Sequence, residues 1–105
     1  MAYNPYAFNT VPVGEFSEKL RYFTHEAKQD RSVPKNQDGK FPQKKLNGVP
    51  VWVVTATVDG KFIKVSVPLV DEPTISSLTP IAFENLVVGA IEGNLWFRAD
   101  DVNLA

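Results

Sequence analysis

Apolar and polar side chains alternate most regularly between Val51 and Val67. Val51-Trp52-Val53-Val54-Thr55-Ala56-Thr57-Val58 is dense in β-branched and aromatic residues, and Lys61-Phe62-Ile63-Lys64-Val65-Ser66-Val67 alternates. Between them Asp59-Gly60 has the composition of a two-residue type I′ turn. A turn of that length sets the register. Val58 then opposes Lys61, Ala56 opposes Ile63, Val54 opposes Val65 and Trp52 opposes Val67, on the face assigned to the core. The opposite face pairs Thr57 with Phe62, Thr55 with Lys64 and Val53 with Ser66, and so carries hydroxyls, one amine and one aromatic ring. Pro68 ends the second strand because it has no N–H for the ladder.

The remaining pattern predicts three more strands. Leu86–Ile91 and Leu95–Ala99 read as a second hairpin about the turn Glu92-Gly93-Asn94. Lys19–Ala27 reads as a first strand from its Tyr-Phe-Thr cluster, with Leu20, Tyr22 and Thr24 on one face and Arg21, Phe23 and His25 on the other. A helix over Glu15–Lys28 competes, since Phe16, Leu20 and Phe23 also fall at i, i+4 and i+7. Residues 1–14, with Pro5, Pro12 and Gly14, read as an extended arm carrying Tyr3, Tyr6 and Phe8. Gln29–Gly48 reads as a long polar loop with turns at Asp38-Gly39 and Asn47-Gly48. Asp71–Pro80 is a connector with room for one short helical turn. The expectation is an all-β domain over residues 15–105, its five short strands curled into a small OB-like barrel. A sandwich or an SH3-like barrel remains open.

A chain of 105 residues makes one domain, which buries roughly 65% of the surface its unfolded chain exposes. With no cysteine, neither disulfides nor thiolate metal sites are available, and stability must come from apolar burial. The first residues lack the charged and apolar regions of a signal peptide, and no apolar run approaches the roughly 20 residues of a membrane span. A cytoplasmic protein without a membrane partner is expected.

The net charge of -1 is unevenly distributed. Between Lys19 and Lys45, eight cations face only Glu26, Asp30 and Asp38, whereas from Asp59 onward three cations face seven carboxylates. The basic segment can serve as a polyanion footprint, or simply as a solvated lysine-rich loop. Catalytic readings find little support. His25 is the single histidine, none of Ser17, Ser32, Ser66, Ser76 or Ser77 lies in a nucleophile-elbow sequence, and no glycine spacing cradles a phosphate. Asp100-Asp101 point to opposite faces of an extended chain, which suits a strand end better than a cation site. No enzyme activity, metal or cofactor is expected.

Single-stranded DNA binding needs cations that track phosphates and exposed rings on which bases stack. The candidates are Phe62 and Lys64 on the outer hairpin face, Arg21 and Phe23 on the first strand, Lys28, Arg31, Lys44 and Lys45 in or beside the loop, and Trp96 with Arg98 on the last strand. Trp96 shares the outer face with Arg98 if Phe97 faces the core. The ordinary alternative is that these rings are core residues.

The segments Val49-Pro50-Val51-Trp52-Val53-Val54, Lys64-Val65-Ser66-Val67-Pro68, Phe83-Glu84-Asn85-Leu86-Val87-Val88 and Phe97-Arg98-Ala99-Asp100-Asp101-Val102 resemble small uncharacterised proteins of conjugative elements and plasmids of Gram-positive bacteria. That family ends in an aromatic-x-Ala-Asp-Asp segment, and the similarity covers roughly the second half of this chain. The resemblance implies an accessory role in plasmid or mobile-element replication or transfer, where single-stranded DNA is an intermediate. The five-stranded design is also similar to phage-type single-stranded DNA-binding proteins, as an architectural analogy. A homodimer and replication or transfer proteins as partners are compatible with this reading. The competing reading is a non-enzymatic protein-interaction module that docks through its aromatic N-terminal arm or an exposed strand. A small-ligand barrel is a third, and it requires an internal apolar cavity.

Overall fold

A computed structural model describes residues 10–12, 20–58 and 60–105. It is all-β, with nine strands and no helix among the described residues. These are β1 (Thr10–Pro12), β2 (Arg21–Ala27), β3 (Lys45–Leu46), β4 (Val49–Val58), β5 (Lys61–Pro68), β6 (Ile81–Glu84), β7 (Val87–Ile91), β8 (Asn94–Arg98) and β9 (Asp101–Leu104). No helix among the described residues is long and apolar enough to cross a membrane.

The β4–β5 hairpin has the expected register, from Trp52 opposite Val67 to Val58 opposite Lys61. Two residues close it. Gly60 has φ +77°, a backbone that glycine adopts without a Cβ clash, and Asp59 lies outside the described residues. The core is built on the expected face: Val54, Ala56, Val65 and Val67 are fully buried and Val58 nearly so, with Ile63 packed against them. Trp52 is only half-buried, its indole N–H donating to the Leu69 carbonyl at 3.3 Å.

Strand order in the main sheet is β1-β7-β8-β5-β4-β2, with β3 also paired to β4. Different strands stand at its two ends, so it is an open sheet rather than the closed five-stranded OB-like barrel that strand counting suggests. All pairings are antiparallel except β5 with β8, which run parallel. A second sheet of β6 and β9 brings Ile81, Phe83 and Val102 against the core face. Leu20, Tyr22, Leu86 and Ala99 complete that core.

Residues 21–27 are strand, which settles the strand-or-helix choice for that part of Glu15–Lys28; residues 15–19 lie outside the described residues. The β7–β8 turn is tighter than the three residues expected. Ile91 pairs with Asn94, and Glu92 (φ 52°) and Gly93 (φ 84°) make a two-residue turn with both backbone angles positive. The polar segment 29–48 is less of a loop than its composition suggests. It folds on itself through a Gln29–Gln43 bridge and main-chain bonds from Asp30 to Pro42 and from Lys44 to Lys28, before β3 turns into β4. Of the arm, Thr10–Pro12 pair with β7 at the sheet edge, and the rest of residues 1–14 lies outside the described residues. The connector 71–80 holds no helical turn. Leu78 and Thr79 instead bond to Tyr22, covering the start of the β2 edge.

Burial separates two leucines cleanly. Leu20 is 1% exposed and Leu95 is 69% exposed. Leu20→Ala is expected to lower unfolding free energy by about 2–5 kcal/mol. Leu95→Ala should stay within about 0.5 kcal/mol of the unmodified chain. Urea denaturation followed by tryptophan fluorescence measures both.

Candidate nucleic-acid interface

One irregularity in β2 composes the outer face. Arg21 and Tyr22 oppose Thr57 and Ala56, but Thr24 then opposes Thr55, leaving Phe23 as the extra residue of a β-bulge. The bulge exchanges the expected places of two neighbours. Thr24 joins Arg21 and Phe23 on the outer side, and His25 moves to the Val54 side. Phe23 meets Phe62 edge-on, ring centroids 5.1 Å apart, although β4 lies between their strands. Thr55 and Thr57 on β4 are short enough to let the rings meet above them. Phe23 is 43% and Phe62 59% exposed, so neither ring belongs to the core.

Three depressions share lining residues along this part of the sheet, and two of them reach the pair itself. The first, about 530 Å³, lies around Phe23, Thr24, Thr55, Phe62 and Lys64. The second, about 620 Å³, touches it at Glu26 and contains Lys28, Asp30, Arg31 and Lys44. The third, about 560 Å³, shares Phe62 and Lys64 and continues to Lys61, Ile63, Leu95 and Phe97. The shared residues set them side by side as one groove, cationic at one end, aromatic in the middle and apolar at the other.

The groove is not uniformly basic. Glu26 stands 4.0 Å from Lys64, an exposed ion pair of little intrinsic strength. Asp30 accepts from the Ser32 hydroxyl and from its N–H at 3.0 Å, and these bonds, the hydroxyl's first, hold its carboxyl below the usual range. Two carboxylates therefore oppose the three cations of that end.

Of the expected site residues, Phe23, Phe62 and Lys64 meet in the groove, and Lys28, Arg31 and Lys44 line its cationic end. Arg21 lies at the start of the same face, its guanidinium donating to the Leu78 carbonyl at 3.3 Å. Phe97 packs on the core, so Trp96 and Arg98 do share the outer face. Arg98 lies over the Trp96 ring at 5.6 Å, covering one stacking surface. The half-buried Trp96 has a buried indole N–H with no hydrogen-bond partner among the described residues. Lys45 is exposed on β3 and lines none of the three depressions.

Phe41 was not among the expected residues. Arg31 and Lys35 stand over its ring at 5.7 and 5.4 Å, which gathers two cations of the 29–48 segment. The available signal was one aromatic residue among lysines. Leu95, Ile63 and Lys61 were not among the expected site residues either, because only the β5–β8 pairing brings Leu95 beside the other two.

On the core side, His25 is a half-buried bridge rather than a surface residue. It hydrogen-bonds the Tyr22 hydroxyl through Nδ1 and Glu72 through Nε2 at 3.0 Å, and stands edge-on to Trp52 at 5.7 Å. Asp100 accepts from the Asn85 side chain at 2.8 Å and Asp101 from the Val102 N–H at 2.8 Å, as strand-end residues do. Among the described residues no group of three or more His, Cys, Asp or Glu side chains is placed to hold a metal ion. No protein-family model, curated protein or solved structure matches the chain.

Burial, then the nearby Glu72 carboxylate, pushes the Tyr22 phenol above its ordinary value of 10.0. A group with a raised folded-state value contributes stability below its unfolded value and loses it as pH rises toward the folded one. The stability advantage of the unmodified chain over Tyr22→Phe is therefore expected to shrink from about pH 9 to about pH 11. Paired urea denaturations at the two pH values test this. A constant difference would contradict it.

Proposed function

We propose that this chain is a non-enzymatic single-stranded DNA-binding protein that holds phosphates by charge and bases by aromatic stacking. One observation carries the reading. Two exposed phenyl rings, 5.1 Å apart on a threonine floor, stand beside Lys64 in a groove that leads to Lys28, Arg31 and Lys44. Rings left in water on a sheet face turned away from the core offer stacking surface without any rearrangement of that core. Strand order supports the same reading, because an open sheet leaves a broad face accessible. The fold is then read as sandwich-like, with β6 and β9 as a second layer over the core side.

The resemblance of the second half to proteins of conjugative elements suggests the setting: an accessory step of plasmid or mobile-element replication or transfer, in the cytoplasm. The chain's acidic balance matters here. With a net charge of -1, long-range attraction to DNA is weak, so binding depends on local cations and falls steeply with salt.

Titration of tryptophan fluorescence with oligo(dT) at low and moderate salt tests the proposal. Saturable binding at micromolar protein is expected. Phe62→Ala should weaken it by about 5- to 150-fold, the range for loss of one base stack. Lys64→Ala should reduce the salt slope by about one. Lys45→Ala, away from the groove, should change affinity by less than about twofold. Absence of any interaction at low salt would refute the proposal.

A further inference from the structure

The main sheet splits at one point. β5 and β8 pair at Val65 with Phe97 and at Ser66 with Arg98, and toward their N-terminal ends no further pairs form. The split is the third depression, about 560 Å³, within the size range of small-molecule sites. Phe62 and Lys64 reach it from the outer face, and Ile63, Leu95 and Phe97 form its apolar floor.

Main-chain groups also face this opening. In a two-residue hairpin the closing pair Val58 and Lys61 is hydrogen-bonded, so the alternate residues Phe62, Lys64 and Ser66 turn their N–H and C=O away from β4. Ser66 uses its carbonyl in this way, accepting from Ala99 at 3.1 Å. By the same alternation Leu95 turns its main-chain groups away from β7 and into the opening. The cleft thus combines an apolar floor, main-chain donors and acceptors, and lysines 61 and 64 at its rim.

We infer that this cleft receives one unpaired nucleobase of the bound strand, stacked against Phe62 and seated over Leu95. The inference rests on the DNA-binding reading and names a second subsite within it. Three features select a base over a peptide strand. The unpaired main-chain groups run only from Phe62 to the Lys64 N–H, too short for a ladder. The rim is cationic. Phe62 lines both the aromatic groove and the cleft, so a strand stacked in the groove continues into it.

The test uses the full chain and a fluorescein-labelled oligo(dT), with an abasic oligonucleotide of equal phosphate number as the second probe, both read by anisotropy. Leu95 is exposed, so Leu95→Ala leaves the fold intact. The substitution is expected to weaken oligo(dT) binding by about fivefold or more and to leave abasic binding unchanged. Unchanged oligo(dT) affinity in Leu95→Ala, with a loss in Phe62→Ala, would overturn the cleft and leave the stacking face standing. Equal losses for both probes would also overturn it, since the effect would not come from a base. No binding by the unmodified chain would remove the underlying reading as well. Amide shifts at residues 62–64 and 94–97 produced by an acidic peptide but not by oligo(dT) would assign the cleft to a protein partner and overturn the inference.

Discussion

The register of the β4–β5 ladder is the constraint from which the other contacts follow. Eight opposed pairs run from Val51 with Pro68 to Val58 with Lys61, and a two-residue turn closes them. Because side chains alternate with a period of two, a slip of β5 by one residue against β4 would expose Val65 and Val67 and bury Lys64. The cost of burying an unpaired amine adds to the loss of apolar burial, so the two penalties enforce one register. That choice places Phe62 and Lys64 in water.

The bulge at Phe23 does comparable work on the neighbouring strand. Without it, strict alternation from Tyr22 would place Thr24 toward the core and His25 outside. With it, Phe23 and Thr24 both remain on the outer side, and His25 becomes available to join Tyr22, Trp52 and Glu72. One extra residue thus supplies the second ring of the exposed pair and ties β2 to the 69–80 connector. That connector is further held by bonds from Leu78 and Ser77 to the β2 main chain.

Electrostatics in the groove is a balance of close neighbours. Glu26 and Asp30 stand among Lys28, Arg31, Lys44 and Lys64, so the local excess of positive charge is smaller than the segment totals suggest. Ring-mediated contacts shape what is left. Phe41 collects Arg31 and Lys35, and Trp96 supports Arg98, so some cations spend their reach on aromatic faces within the chain.

Local pattern was enough to read the all-β class, the Val51–Val67 hairpin with its register and both faces, and the outward position of Phe62 and Lys64. Turn length and side-chain alternation are properties of adjacent residues and need no distant partner. The strands that escaped notice are short: Thr10–Pro12, Lys45–Leu46, Ile81–Glu84 and Asp101–Leu104. Their strand character comes from pairing rather than from composition, although Ile81 and Phe83 did alternate inward. Tertiary structure alone decided the rest. The parallel meeting of β5 with β8 opened the sheet and created the cleft, the bulge redirected Phe23, Thr24 and His25, and different edge strands kept the sheet from closing. Each depends on which remote segments share hydrogen bonds, a long-range choice that no window along the chain contains.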